Sequence, residues 1–319
     1  MIAPLRGCPL NRFDGNLAGT SPASAGQRNR GGPVTTGREL LARLSADGEA
    51  VRLTGGVVNT VWMVRGPERD VVLKTLDDAP PTLFEIEAEG LAALRKGGLR
   101  TPEVLDVGVD WLLLEALTPG PRETDAFWEA AGRAIATLHD VRGPRFGWDH
   151  DGWLGSLPQR NAWHDDGHAF FAEHRLLRFL DEPKVDAVLT AGDRAALERL
   201  CARLPEIVPA VPPSLTHGDL WRNNIATTAT GEPAFIDPAV SWMWPDVDLS
   251  AMVCSTDPPA RFFDAYREVR PLDRDWRDRM PVVFLREVFS TLAHEGAQQW
   301  ALDVLEDVLR PFRDRPNPT

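Results

Sequence analysis

The stretch from Leu215 to Val253 constrains this chain more than any other part of it. It reads L-T-H-G-D-L-W-R-N-N-I, then F-I-D-P, then D-V-D-L. Ser214–Thr216 predicts a short strand that runs into the turn His217-Gly218-Asp219. A predicted hairpin follows, Asn224–Thr228 and Ala234–Asp237, closed through Thr230-Gly231. Asp219 therefore leaves a strand in a tight turn, Asn224 starts the next strand, and the hairpin carries Asp237 back beside Asn224. One carboxylate, one carboxamide and a second carboxylate converge from 19 residues of sequence. A small set of oxygen donors suits Mg2+, which keeps several waters and shares itself with phosphates. H-G-D by itself is commonly a turn, and I-D-P commonly a strand end; only their joint order and spacing point to a metal–phosphate site.

Phosphoryl transfer asks the protein mainly to position groups and neutralise charge. An Asp takes the proton of the incoming hydroxyl, while an Asn and another Asp hold the metal. Asp219, Asn224 and Asp237 match those roles in order. A second region agrees with them: Leu53-Thr54-Gly55-Gly56 lies between two β-rich runs, and Val71-Val72-Leu73-Lys74 lies on the next. Gly55 and Gly56 would let backbone amides approach phosphate oxygens closely. The chain itself is acidic, with 35 Lys and Arg against 47 Asp and Glu and a formal charge of −12. ATP carries about four negative charges at neutral pH, so local cations are needed to hold it; Lys74 and Mg2+ are the candidates. A lysine used in this way is oriented by a glutamate. Of Glu85, Glu87 and Glu89, Glu87 precedes Leu91 by four residues and Leu94 by seven, and so shares their face of a helix.

The acidic balance repels polyanions, which argues against nucleic acid and anionic lipid as partners. Trp111–Leu117, the longest strongly apolar stretch, is interrupted by Glu115 and falls far short of the roughly 20 residues of a membrane span. Cys8, Cys201 and Cys254 are scattered, with neither a disulfide framework nor paired ligand spacing, as expected of idle thiols in a reducing compartment. His294-Glu295 begins like a zinc-protease helix, but Gln298 stands where the second histidine belongs. Residues 1–33 hold six Gly, four Pro, four Arg and a single acidic residue, Asp14, without apolar periodicity. Such a segment buries too little surface to offset its ordering entropy; residues 1–34 are expected to be a disordered extension.

Beyond it the periodicity predicts a helix from Thr36 to about Ala46, then strands at Val51–Leu53, Val57–Arg65 and Asp70–Leu76. A helix opened by Pro80-Pro81 places Phe84, Glu87, Leu91 and Leu94 together and ends at Gly97-Gly98. Strands Val104–Val107 and Trp111–Ala116 complete a small antiparallel sheet. After Thr118-Pro119-Gly120 the pattern turns helical, with predicted helices at Glu123–Val141, Asp165–Leu180 and Ala195–Leu204 and two more near the C-terminus. The expected fold class is α+β, a two-lobe protein-kinase-like arrangement. A β-rich lobe over 35–117 would bind nucleotide, and a larger helical lobe over 118–319 would carry catalysis and the acceptor.

These motifs resemble the fructosamine kinase (ketoamine kinase) family, within the wider aminoglycoside-phosphotransferase-like superfamily. H-G-D-L-W at His217–Trp221, Asn224, I-D-P-A at Ile236–Ala239 and D-L at Asp248–Leu249 carry the general resemblance. More specific are F-G-W-D-H-D-G-W-L-G-S-L-P-Q-R-N-A-W at Phe146–Trp163, F-F-A-E-H-R-L-L at Phe170–Leu177, and F-E-I-E-A-E-G-L-A-A-L at Phe84–Leu94. The resemblance implies ATP- and Mg2+-dependent phosphorylation of a ketoamine at a sugar hydroxyl. It further implies an interlobe hinge at Trp111–Leu117, where backbone groups near Glu115 and Leu117 read adenine. A cytoplasmic, monomeric enzyme with a small-molecule acceptor is expected. Two departures border the acceptor: Arg222-Asn223 where relatives commonly have Ser-Gly, and the Trp-rich Val240–Pro245 after I-D-P-A. Trp221 and Arg222 are therefore candidate acceptor contacts. Alternative readings are a kinase for an aminoglycoside or other amino-sugar, and a nucleotide-binding pseudokinase scaffold. His217 and Asp248 are expected to brace the catalytic turn, and Asp149, His150 and Asp151 to form a solvated turn.

Overall fold

The computed structural model describes residues 35–46, 48–53 and 58–313. The expected N-terminal extension and the loop glycines Gly55 and Gly56 lie outside these residues. The chain groups into two units. One holds the described residues up to Ala88 together with Glu103–Ala116; the other holds Glu89–Pro102 and the chain from Leu117 onward.

The first unit is an antiparallel sheet of β1 (Glu49–Leu53), β2 (Thr60–Arg65), β3 (Val71–Thr75), β4 (Val104–Val107) and β5 (Trp111–Glu115) in the order β1-β2-β3-β5-β4. Helix α1 (Gly37–Ala46) lays Leu40 on Leu73 and Trp111, with Leu41, Leu44, Trp62 and Leu113 around them. Its first amide is not left orphaned, because Gly37 N–H donates to the Asp110 carboxylate at 3.1 Å. Pairing of β3 between β2 and β5 sets Lys74 opposite Val61 and Leu112.

Helix α2 (Leu83–Lys96) runs from one unit into the other, and its predicted stripe is buried at Phe84, Leu91 and Leu94. Its end has the expected glycine cap: Gly98 takes φ 100°, and Leu99 N–H returns to the Leu94 carbonyl at 3.0 Å.

The second unit is mainly helical. Helix α3 (Asp125–Asp140) starts at Thr124, whose hydroxyl accepts the Phe127 N–H, and buries Phe127, Trp128, Ala131, Ile135 and Leu138. It packs on the helix Ala260–Val269, which supplies Phe262, Phe263 and Tyr266. Gly132 makes that approach possible, since a Cβ there would lie 2.1 Å from the Phe262 carbonyl oxygen. Each large apolar side chain buried along this seam contributes about 1.5–3 kcal/mol.

Two local expectations need correction. The segment read as one helix over Asp165–Leu180 is a short α-helix Gly167–Phe171, a π-turn Ala172–Leu176 and a 3-10 turn Leu177–Asp181. Arg175 sits in the widened turn, 2% exposed, and donates to the Arg160 carbonyl and to Asn161 Oδ1. An inward guanidinium with loop acceptors competes with the regular ladder. The hairpin of β6 (Gly152–Leu154) and β7 (Leu157–Gln159) was not anticipated; its turn is Gly155-Ser156, with Gly155 at φ 59°. The expected strand β8 (Ser214–Thr216) is present and pairs with β11 (Ser241–Met243), while β9 (Ile225–Thr227) and β10 (Pro233–Phe235) form the expected hairpin.

Candidate active site

In the helical unit, β8 delivers the chain into the turn His217-Gly218-Asp219. Gly218 takes φ 81°, and a Cβ on it would meet the Ala239 carbonyl oxygen at 1.9 Å, so only glycine passes here. Asp248, buried at 1% exposure, accepts the His217 N–H at 2.7 Å and the Gly218 N–H at 2.8 Å. The same carboxylate meets His139 Nε2 at 3.1 Å, and His139 Nδ1 meets the Tyr266 hydroxyl at 2.8 Å. Burial would raise the Asp248 carboxyl; the bonds from His139 and Gly218 oppose it, and the group lies below its ordinary value.

His217 is fully buried, its Nε2 lies 3.0 Å from the Ile236 carbonyl, and its Nδ1 accepts the Asp219 N–H at 3.3 Å. Donation from Nε2 and acceptance at Nδ1 describe one neutral tautomer, and burial pushes its pKa down in agreement.

Asn224 joins the turn to the hairpin. Its Nδ2 donates to the Asp219 carboxylate at 2.9 Å and to the Asp219 carbonyl at 2.8 Å, and its backbone oxygen accepts Ile236 N–H at 3.0 Å. The Asp237 carbonyl lies 3.5 Å from the same Nδ2. Asp237 itself has φ 55°, a left-handed conformation uncommon outside glycine and a frequent mark of a functional turn. The structure thus brings Asp219, Asn224 and Asp237 together. Burial raises the Asp219 carboxyl to about 8; the Glu287 and Asp237 carboxylates add to the rise, while Arg286 and the Asn224 amide oppose it.

No group of three or more His, Cys, Asp and Glu disposed to hold a metal ion occurs among the described residues. A carboxamide oxygen and an Asp carboxylate are instead the donor set of an ion that completes its shell with phosphate and water, which fits Mg2+.

In the sheet unit, Lys74 on β3 meets Glu87 on α2 at 2.6 Å, with side chains 5% and 12% exposed. Glu85 carries no such pair among the described contacts, while Glu89 bonds with Trp148 Nε1 at 3.1 Å and His150 Nε2 at 2.9 Å. Glu115 donates its amide to the Glu103 carbonyl at 2.9 Å. Leu117 is part-exposed where the chain enters the helical unit. Trp221 is part-exposed, and Arg222 is exposed and ion-paired with Glu123.

Arg286, Glu287 and Gln159 escaped the sequence reading. The signal was present: Arg286-Glu287 interrupts the apolar run V-V-F-L before V-F, and a charge pair inside a buried helical stretch needs a reason to be there.

The sequence model of the fructosamine kinase family matches residues 39–309. The chain belongs to the fructosamine kinase family. It is 35% identical over 253 residues to the probable ketoamine kinase of Thermus thermophilus, covering 79% of this chain and 89% of that one. The probable ketoamine kinase of Escherichia coli strain K12 is 32% identical over 268 residues, covering 81% and 92%. Among solved structures, a Thermobifida fusca protein assigned to fructosamine-3-kinase superposes with TM-score 0.73 at 27% identity, covering 85% of this chain and 97% of that one. The aminoglycoside phosphotransferase APH(4)-Ia, at 15% identity and TM-score 0.56 over 82% and 94%, shares the fold. The kinase is an ATP-dependent phosphotransferase of the α+β, protein-kinase-like class.

Proposed function

We propose that this kinase transfers the γ-phosphoryl group of ATP to a sugar hydroxyl of a ketoamine, a fructosamine or ribulosamine. The observation that carries the chemistry is the bonding of Asn224 to Asp219 beside Asp237. In this reading Asp219 accepts the proton of the acceptor hydroxyl as its oxygen attacks phosphorus, and ADP leaves with the bridging oxygen. Once ionised, a carboxylate whose pKa is raised to about 8 is a stronger base than an ordinary Asp. Asn224 and Asp237 would hold Mg2+, which supplies charge neutralisation on the phosphates when bound. Lys74, oriented by Glu87, would take the phosphates together with the backbone at Gly55 and Gly56, and the Glu115 and Leu117 backbone would take adenine.

The acceptor assignment is supported by the Phe146–Trp163 segment. It supplies the β6–β7 hairpin, and Gln159 from that hairpin donates to the Ala239 carbonyl at 3.0 Å, two residues beyond Asp237. Trp221 would face the sugar. Arg222, already engaged by Glu123, is less suited to an acceptor contact than its sequence position implied. No helix among the described residues is long and apolar enough to cross a membrane; a monomeric, cytoplasmic enzyme accords with this reading. The test is ADP release with Mg-ATP and fructosyl-lysine, ribulosyl-lysine or kanamycin against a no-acceptor control. Turnover with a ketoamine is expected. Turnover with kanamycin and with neither ketoamine would transfer the assignment to an amino-sugar antibiotic, and none with any acceptor to a scaffold.

A further inference from the structure

The left-handed backbone of Asp237, at φ 55°, persists only where its surroundings over-determine it. Much of that support is hydrogen bonding. Ile236 N–H donates to the Asn224 carbonyl at 3.0 Å, Ala239 N–H to the His217 carbonyl at 2.9 Å, and Gln159 Nε2 to the Ala239 carbonyl at 3.0 Å. Gln159 is steadied by buried Arg286, which donates to its Oε1 at 3.0 Å and also engages the neighbouring Glu287. Pro238 has no N–H to contribute and is held by packing instead. Gly90 of helix α2 lies against it so closely that a Cβ there would sit 3.0 Å from Pro238 Cγ and 3.6 Å from Val240 Cγ2.

The residue beside Gly90 ties that part of α2 down. Glu89 uses both carboxylate oxygens: Oε1 accepts Trp148 Nε1 at 3.1 Å and Oε2 accepts His150 Nε2 at 2.9 Å. His150 Nδ1 faces the Asp151 carbonyl at 3.0 Å, so both ring nitrogens donate and the ring is charged. Both donors are themselves fixed. The Trp148 ring lies 5.6 Å from that of Trp242, and Gly147 and Trp242 exchange backbone bonds of 2.9 and 3.1 Å. Trp242 belongs to β11, the partner of the strand β8 that delivers the catalytic turn. The His150 carbonyl accepts Asn161 Nδ2 at 3.1 Å, and buried Arg175 donates to Asn161 Oδ1 at 2.7 Å. Within the turn Asp149-His150-Asp151 the two carboxylates are exposed, while His150 is drawn onto α2.

We infer that Glu89 is a positioning residue: held by Trp148 and His150, it seats Gly90 on Pro238 and keeps Asp237 in the conformation in which it would hold Mg2+. The inference rests on the reading of Asp237 as a metal ligand and is independent of the acceptor. Glu89 acts only through α2 and Pro238, so its loss falls on the metal-dependent part of nucleotide binding.

The test is calorimetry of ATP binding to the full chain, without acceptor, in Mg2+ and in EDTA. The wild type is expected to bind ATP about tenfold or more tightly with Mg2+, and Asp237→Ala to lose that gain. Glu89→Ala should cut the gain by about fivefold and leave the affinity in EDTA unchanged, the size expected of an exposed ion pair together with one indole bond. Glu89→Gln, which keeps one acceptor oxygen, should fall between them. Amide exchange gives a readout free of metal and nucleotide: Ala239 N–H should exchange about fivefold faster in Glu89→Ala, with the helix Ala191–Ala202 unchanged. A full Mg2+ gain in Glu89→Ala, an unaltered Ala239 amide, or an equal loss with and without Mg2+ would overturn the inference. If Glu89→Ala does not fold, His150→Ala decides, since it removes one donor and leaves Glu89 in place; an undiminished Mg2+ gain in that variant overturns the inference. Retention of the gain in Asp237→Ala is a separate result, which removes the metal reading itself together with this inference.

Discussion

The two units hold their charged groups by opposite means. In the sheet unit, Lys74 and Glu87 rise from two regular elements, β3 and α2, and meet directly at 2.6 Å. In the helical unit, Asp219, Asn224 and Asp237 all sit in turns, which are fixed by bonds between side chains and backbone: the His217 and Gly218 amides donate to Asp248, and Asn224 Nδ2 donates to the Asp219 carbonyl. A pair on regular elements is set by strand and helix periodicity, so each member is governed by its own neighbourhood. A turn has no such ladder, and its conformation depends on acceptors brought from elsewhere in the chain. Damage to the first should stay local; damage to the second should spread from residues that touch no ligand.

The largest effect is expected at the turn itself. Asp219→Asn should reduce ADP release by about a thousandfold or more, because the acceptor hydroxyl loses its base. Its stability should equal or exceed that of the wild type. An acid whose folded pKa is raised, here to about 8, loses stability as pH climbs from its unfolded value toward the folded one. The melting-temperature advantage of the variant should therefore grow from about pH 4 to about pH 8 and then level off. A variant less stable than wild type at pH 8 would contradict the buried-carboxylate account.

Next comes the brace. Asp248→Ala strands the amides of His217 and Gly218 and the His139 ring, all buried, and should cost about 3 kcal/mol or more in urea denaturation. It should also lower kcat although it touches no substrate. Retained kcat in a destabilised protein would show that the turn holds without its acceptor and would erase the contrast between the units.

On the other side, Glu87→Gln should raise KM for ATP by about tenfold while leaving KM for the acceptor unchanged. A matching change in acceptor KM would mean that the pair is not local. The smallest effect is expected from Thr190→Ala. Thr190 caps the helix Ala191–Ala202 in a reciprocal box with Asp193, so its loss should cost about 1 kcal/mol and change no kinetic constant. This variant calibrates how much destabilisation alone does to activity.

How far the sequence reaches follows the same division. The α2 stripe was legible because a 3.6-residue period assigns a face to every residue, and that period selected Glu87 over Glu85 and Glu89. The β9–β10 hairpin was legible from its turn residues, and it placed Asp237 next to Asn224. Less visible was the interruption at Arg175, because nothing in a helical pattern announces an inward guanidinium whose acceptors, Arg160 and Asn161, lie on a preceding loop. The family was legible too, since the Phe146–Trp163 block is a long and specific string.

The sequence by itself determined the order of most elements, the residues proposed for phosphoryl transfer, and the lysine–glutamate pair, because each follows from short-range periodicity or from a motif whose members lie within one hairpin. Only the tertiary structure decided that Asp248 caps two amides of the catalytic turn, that Glu123 engages Arg222, and that Arg286 and Glu287 join that turn through Gln159. These contacts link residues separated by 30, 99 and 127 positions. Which distant groups meet depends on how whole elements pack, and a buried charge finds its partner only once that packing is complete.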